Sequence, residues 1–239
     1  MHGDTPDDEP TDAEIADDRA LAKQVAVAFL ANLPYLYDPV AGLLAATAAP
    51  IVLAIANTAA VKRLGRRRAE HAADTLLDAA DAAGLHLSEF LDVAVSDDRR
   101  QELLTRALGI AQDASLRAKR RALGRALANG VVRDEARIDE ELLFMRAVED
   151  VDEMHIRLLG LMANPVPEPA PGWTSGMIER ADPGLRGGVF ALLGTLELHG
   201  LIVQLFPAAP IRGPHAGQIY HYITESGRFF LNRLADESG

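Results

Sequence analysis

The sequence predicts a mainly α-helical protein with one short pair of β-strands near its C-terminal end. Three observations indicate this fold class. The 239-residue chain is 49% hydrophobic and rich in alanine, whereas aromatic residues make up only 5%, which favours closely packed helices over sheets. Apolar residues recur at three- and four-residue steps through most of the chain. The two runs of β-branched and aromatic residues that are typical of strands lie within residues 201–223.

The acidic residues are concentrated at the start of the chain. Residues 1–20 carry eight acidic side chains and one arginine, which is −7 of the net charge of −11. Because this segment is also rich in Asp and Pro, we predict a disordered acidic tail. It lacks the basic region of a secretory signal peptide, so a cytoplasmic location is expected. The absence of cysteine excludes a disulfide scaffold and thiol catalysis, and the excess of Arg over Lys, 21 to 3, is typical of a GC-rich bacterial genome.

A helical domain is predicted over residues 21–149. Pro34 is expected to end the first helix, because proline breaks the helical hydrogen-bond pattern. Gly84 is expected to end another, since glycine adopts positive φ without strain. Asp97 or Asp98 suits the N-cap of the longest helix. The expected helices cover residues 12–34, 66–83, 89–95, 97–130 and 138–162, with a break near residues 150–152 in the last.

Residues 39–61 form an Ala-rich run without a charged residue, and the run is long enough to span a bilayer, which takes about 20 residues. A basic block follows directly, which is typical of the cytoplasmic flank of a membrane span. Pro50 interrupts the run, however, and its many alanines let neighbouring helices approach closely. We therefore predict a segment buried in the helical core, and the alternative is a segment that engages lipid. In that alternative the headgroup contacts are Lys62, Arg63, Arg66, Arg67 and Arg68.

A second basic group lies in the predicted helix 97–130. Arg117, Arg121 and Arg125 recur at four-residue spacing and therefore share one helix face. Such a face can contact anions, nucleic acid or lipid headgroups. Nearby acids such as Asp113 can instead neutralise it, and the sequence favours this solvated face.

The sequence contains no catalytic motif. A phosphate-binding loop, a strand-bound GxGxxG and a nucleophile elbow are all absent from it. The densest group of acids and histidine lies around residues 149–155. Glu149 and Glu153 share one helix face, whereas Asp152 and His155 share another. Because a metal needs converging ligands, we interpret the group as a helix end and expect no metal, no cofactor and no enzymatic activity.

The strongest local signals lie in residues 185–234. An apolar helix stops at Gly200, which can adopt positive φ. Two strand-like runs follow, at residues 201–206 and 218–223, and the prolines and glycines between them exclude regular structure. Thr224 suits the N-cap of a closing helix.

The strings LELHGLI and YITESGRFFL in this stretch are similar to the pattern of small bacterial winged-helix regulators. In those proteins a helix ends in Gly-Leu-Ile, and the second wing strand runs into Thr-x-x-Gly. The resemblance covers residues 150–236 and implies a winged-helix domain over residues 150–239. The predicted fold is thus an N-terminal helical bundle followed by a C-terminal winged helix with a two-stranded β wing.

The predicted recognition helix differs from one that reads DNA. Such helices carry polar side chains near their N-terminus, where this chain has Leu-Arg-Gly-Gly-Val at residues 185–189. Residues 151–239 hold six Arg, no Lys and nine acidic residues, whereas a DNA footprint is normally basic. Protein contact, including self-association, is therefore favoured over DNA. If DNA is bound, the candidate contacts are Arg180, Arg186 and Arg212.

Two functions stay open from the sequence. The first is a non-enzymatic bacterial regulator or adaptor that uses the winged helix for contact with a protein, or weakly with DNA. The second is a membrane-associated helical effector, similar to those of bacterial abortive-infection defence, in which residues 39–61 engage lipid.

Overall fold

The computed structural model describes residues 12–37, 59–133, 135–166, 170–205 and 219–235. The chain divides into two compact units, Met1–Leu142 and Leu143–Gly239, which we call the N-terminal unit and the C-terminal unit. The described residues are mainly helical, with a small two-stranded antiparallel sheet near the C-terminus. The coarse fold class predicted from the sequence is therefore confirmed.

The helices and strands divide between the two units as follows. The N-terminal unit contains α1 Asp12–Tyr37, α2 Ala59–Ala83, α3 Leu87–Ala94, α4 Asp98–Asp113, α5 Arg117–Val132 and the start of α6 Glu135–Asp150. The C-terminal unit contains the end of α6, then α7 Glu153–Ala163, α8 Ser175–Ala181, a short 3-10 helix Pro183–Leu185, α9 Val189–Leu198, β1 Ile202–Leu205, β2 Tyr220–Ile223 and α10 Glu225–Ala235. Gly84 and Gly200 have φ angles of 67° and 65°, as their predicted places at helix ends require.

Helix α2 forms the centre of the N-terminal unit. It packs against α1, α4 and α5, and the side chain of Leu76 on it is fully buried. Helix α2 closely approaches Gly124 of α5, where a Cβ would lie 2.9 Å from the Cβ of Asp78 and 3.1 Å from the carbonyl oxygen of Thr75. Small residues therefore allow two helix backbones to meet in this core, as the alanine content predicts.

The prediction of one long helix over residues 97–130 is wrong, because two helices, α4 and α5, occupy this segment. The chain leaves helical geometry at Ala114, whose ψ is 108°, and Arg120 donates a hydrogen bond of 2.9 Å to the carbonyl oxygen of Ala114. The break allows α4 and α5 to pack against α2 and against each other. Tertiary packing thus overrides a continuous helical pattern. Asp97 caps α4 as predicted, since its side chain accepts from the backbone N–H of Arg100 at 2.9 Å.

The first helix also departs from the prediction. Helix α1 continues past Pro34, because proline removes one backbone hydrogen bond without ending every long helix. The predicted start of this helix near Asp12 is confirmed, and residues 12–20 are therefore helical and not part of a disordered tail. Of the apolar run 39–61, only the last three residues, at the start of α2, are described. None of the described helices combines the length and the hydropathy needed to cross a membrane.

The two strands of the C-terminal unit pair antiparallel, with Ile202 opposite Ile223. Trp173, between α7 and α8, forms a bridge with β2. It exchanges two backbone hydrogen bonds with His221, of 3.1 and 2.8 Å. Strand β2 is therefore paired on both sides at this point, which holds the segment after α7 against the sheet.

Thr224 connects the sheet to α10. Its hydroxyl donates to the carbonyl oxygen of Gly200 at 2.7 Å and accepts from the backbone N–H of Gly227 at 2.9 Å. The N-cap predicted at this residue is therefore confirmed. Phe230 of α10 packs against Phe144 of α6, with ring centroids 5.5 Å apart. Helix α10 thus closes the core of the C-terminal unit.

Candidate functional site

Helix α9 carries apolar side chains on two opposite sides. Its buried side consists of Val189, Leu192, Leu193 and Leu196. Phe190 and Leu198 are instead 76% and 79% exposed, and Gly194 is exposed between them. These three residues recur at four-residue spacing and share one helix face, which we call the α9 outer face. An exposed apolar face of this kind is typical of an interaction surface.

Helix α9 itself carries little charge. Glu197 is the one charged residue within Val189–Leu198, and this helix contains no basic residue. Two of the predicted nucleic-acid contacts, Arg180 and Arg186, are exposed before α9, at the end of α8 and in the turn that precedes α9. Arg212, the third, lies outside the described residues.

The group of acids and histidine around residues 149–155 is a helix cap. The Asp152 side chain accepts a hydrogen bond from the backbone N–H of His155 at 3.2 Å, and the backbone N–H of Asp152 donates to His155 Nδ1 at 3.2 Å. Burial raises the pKa of Asp152, but the hydrogen bonds from His155 lower it below its ordinary value. His199 Nε2 lies 2.8 Å from a carboxylate oxygen of Asp150. Within the described residues, no group of His, Asp and Glu is arranged to hold a metal ion.

Three of the predicted anion or headgroup contacts, Arg68, Arg117 and Arg121, lie close to acids. Arg68 pairs with Asp113 at 2.8 Å. Burial raises the pKa of Asp78 on α2, and Arg121 and Arg117 of α5 oppose this rise. The face of α5 that carries these two arginines therefore lies partly near the carboxylate of Asp78. The remaining predicted anion or headgroup contacts lie on α2 or α5, and they are Lys62, Arg63, Arg66, Arg67 and Arg125.

A cavity of about 250 Å³ lies within the C-terminal unit, beside the bridge of Trp173 to β2. Its wall includes Trp173, His221, Tyr222 and Arg228. Trp173 and His221 are only 4% and 7% exposed. Trp173 Nε1 and His221 Nδ1 nevertheless find no hydrogen-bond partner among the residues that the structure describes. Burial lowers the pKa of His221, and Glu197 raises it in part, so the imidazole is neutral at neutral pH.

None of the residues that line this cavity is among the site residues predicted from the sequence. Trp173 and His221 are distant in the chain, and only the β-bridge between them brings their side chains to one cavity. The sequence carries two weak signals for the site. Trp173 is the only tryptophan and follows a Pro-rich segment, and His221 interrupts an otherwise apolar and aromatic strand.

In comparisons with known proteins, neither a family model nor a curated protein nor a solved structure matches this chain.

Proposed function

We propose that the protein is a non-enzymatic regulator or adaptor whose C-terminal unit is a winged-helix module that binds a partner protein through the α9 outer face. The order of elements supports a winged helix. Helix α7, the Trp173 bridge, α8 and α9 precede the two paired strands, and α10 follows them. Helix α9 then takes the recognition-helix position. The observation that carries protein contact is the exposure of Phe190 and Leu198 on this helix.

An apolar outer face on a recognition helix favours protein over DNA. Base edges are read mainly by side chains that donate or accept hydrogen bonds, which phenylalanine and leucine cannot do. Burial of Phe190 or Leu198 against a partner would contribute roughly 1.5–3 kcal/mol each. Val203 and Leu205 of β1, the strand after α9, are also exposed, at 40% and 49%. Exposed apolar side chains of this kind are found at the centre of protein interfaces.

Site-specific photo-crosslinking tests the partner contact. A photoreactive phenylalanine analogue at Phe190 of the full chain should capture a specific protein in cells. The same analogue at Phe229, which is 59% exposed on α10, should not capture it. The purified partner should then bind the Leu198→Glu variant at least about tenfold more weakly than the wild type, since this factor corresponds to the burial of one leucine.

The matched control for this experiment is Leu143→Glu, since Leu143 is 62% exposed on α6. It should leave the affinity for the partner unchanged. Equal weakening by Leu143→Glu and Leu198→Glu would show that the α9 outer face is not the contact.

Binding of duplex DNA separates this function from that of a DNA-reading regulator. The full chain should bind duplex DNA weakly and without sequence preference, because α9 contains no basic residue within Val189–Leu198. Tight, sequence-selective binding at physiological salt that is lost in Arg186→Gln would contradict the proposal.

A further inference from the structure

We propose that the partner bound by the α9 outer face is a second copy of this chain, which meets the first copy across a two-fold axis at Gly194. This inference rests on the proposed function, because it names the occupant of the face that the proposed function assigns to protein contact. It adds a symmetry and a stoichiometry, and both can be measured separately from the binding of any other protein.

The α9 outer face is symmetric about its central residue. Phe190 and Leu198 lie four residues before and four residues after Gly194. In a dimer with two-fold symmetry, the same patch of both subunits forms the interface, and a residue on the axis faces its own copy. When two copies of α9 meet antiparallel at Gly194, the Phe190 end of each helix therefore lies beside the Leu198 end of the other. One arrangement thus covers both exposed side chains of both copies.

Gly194 allows the two helices to approach each other closely. It is exposed, and no described atom outside its own helix lies within 4 Å of a Cβ built on it. The axes of packed helices lie about 8–10 Å apart, at a distance that the side chains at the crossing point set. Because glycine has no side chain, a crossing at Gly194 lets Phe190 and Leu198 reach the second helix on either side.

The charges at the two ends of α9 favour the antiparallel arrangement. Arg186 is exposed just before the N-terminal end of the helix, and Glu197 is exposed near its C-terminal end. Antiparallel helices bring the Arg186 end of one copy to the Glu197 end of the other, whereas parallel helices would bring like charges together. The helix dipoles favour the antiparallel arrangement for the same reason.

The exposed apolar area indicates a reversible dimer. Phe190 and Leu198 are 76% and 79% exposed. The two copies of both side chains supply roughly a third of the about 1,600 Å² that a standard interface buries. A few buried side chains contribute most of the binding energy in many interfaces. We therefore expect an equilibrium between monomer and dimer that shifts with the concentration of the chain.

Sedimentation of the full chain over a range of concentrations tests the stoichiometry. The wild type should form dimers as the concentration rises. Leu198→Glu should raise the Kd of the dimer by at least about tenfold, because a charge replaces a buried leucine in each copy. Leu143→Glu, on α6, should leave this Kd unchanged.

A cysteine on the axis tests the geometry. The chain contains no cysteine, so a disulfide in a variant with a single cysteine joins two copies. Gly194→Cys should form this disulfide rapidly on oxidation with copper–phenanthroline, because residue 194 faces its own copy. Gly65→Cys is the matched control, since Gly65 is also an exposed helical glycine with open space for a Cβ. It should cross-link many times more slowly at the same concentration.

Opposite charges at position 194 test the two-fold axis independently. Gly194→Glu and Gly194→Lys should each weaken the dimer, because like charges meet across the axis. An equal mixture of the two variants should restore association, since the charges are then opposite. A partner other than a second copy would not produce this rescue.

The outcomes separate this inference from the proposed function. A chain that stays monomeric at every concentration overturns the inference, and capture of a different protein through Phe190 would then leave the proposed function in place. A dimer that resists Leu198→Glu and does not cross-link through Gly194→Cys also overturns the inference, because another surface then joins the copies. Failure of the analogue at Phe190 to capture either a second copy or another protein contradicts the proposed function itself.

Discussion

The two units of the chain differ in the burial and pairing of their polar and apolar side chains. In the N-terminal unit, small residues let the helices pack closely, and charged groups such as Arg68 and Asp113 pair with one another. In the C-terminal unit, Phe190 and Leu198 are exposed on α9, and the indole N–H of Trp173 is buried without a partner among the described residues. Such features oppose stability within the unit itself. The exposure of Phe190 and Leu198 agrees with the proposal that recognition belongs to the C-terminal unit.

Buried polar atoms without a hydrogen-bond partner among the described residues occur in both units, but the side chains that carry them differ in whether they form other hydrogen bonds. In the N-terminal unit, the Nε atoms of Arg68 and Arg120 find no partner among the described residues. Another nitrogen of each guanidinium is bonded, however, to Asp113 for Arg68 and to the carbonyl oxygen of Ala114 for Arg120. Trp173 has a single side-chain polar atom, so its side chain remains wholly unsatisfied. The unsatisfied polar group of Trp173 therefore costs more stability than the Nε atoms of Arg68 and Arg120.

The largest effect is expected at a contact within the C-terminal unit. A Cβ on Gly227 would overlap the carbonyl oxygen of Leu201 and would lie 2.9 Å from Cγ1 of Ile223. Because a backbone atom cannot turn away, Gly227→Ala should lower the free energy of unfolding by about 3 kcal/mol or more, the upper end of overpacking effects. Gly160→Ala is the control, since no described atom lies within 4 Å of its added Cβ. Urea denaturation measures both variants, and equal midpoints would refute the close approach of α10 to the end of α9.

An added Cβ at the corresponding contact in the N-terminal unit should lower the free energy of unfolding by less. A Cβ on Gly124 would lie 2.9 Å from the Cβ of Asp78 and 3.2 Å from the backbone nitrogen of Ala79. Gly124→Ala should therefore lower the free energy of unfolding by about 1–3 kcal/mol, because α2 and α5 can separate slightly. Gly65→Ala on α2 has open space and should be neutral or stabilising by up to about 1 kcal/mol. If Gly124→Ala destabilises more than Gly227→Ala, the tighter packing lies in the N-terminal unit.

The ends of the elements could be predicted because their causes are local. Gly84 and Gly200 end helices with positive φ, and Asp97 and Thr224 cap helices through their own side chains. A few consecutive residues decide each of these features, so the sequence contains the necessary information. The strands around the Pro- and Gly-rich tip could be predicted for the same reason.

The remaining features depend on residues that are distant in the chain. The break at Ala114 forms because α4 and α5 both pack against α2, and the cavity forms because Trp173 meets His221. The α9 outer face is an intermediate case. The four-residue spacing from Phe190 to Leu198 is visible in the sequence, but their exposure follows from which side of α9 the core covers.

The smallest effect is expected from two histidines, half-buried His71 in the N-terminal unit and buried His221 in the C-terminal unit. Burial lowers the pKa of His71, and Arg120 lowers it further. Burial also lowers the pKa of His221, which Glu197 opposes in part. Above the ordinary pKa of 6.5, both imidazoles are neutral in the folded and the unfolded chain, so they add no dependence on pH. Below it, the unfolded chain binds protons that the folded chain does not, and the free energy of unfolding falls until the pH reaches the lowered folded pKa values.

Urea denaturation at about pH 7.5 and about pH 5.5 should therefore show lower stability at the acidic pH. Asp78, whose pKa burial raises, acts in the opposite direction, because its neutral form is favoured in the folded state as the pH falls. His71→Gln and His221→Gln should each remove part of the loss. If His221→Gln removes more, the acid sensitivity resides mainly in the C-terminal unit, as its unsatisfied interior predicts. If His71→Gln removes nearly all of it, the N-terminal unit is the acid-labile part, and the contrast between the two units does not extend to acid sensitivity.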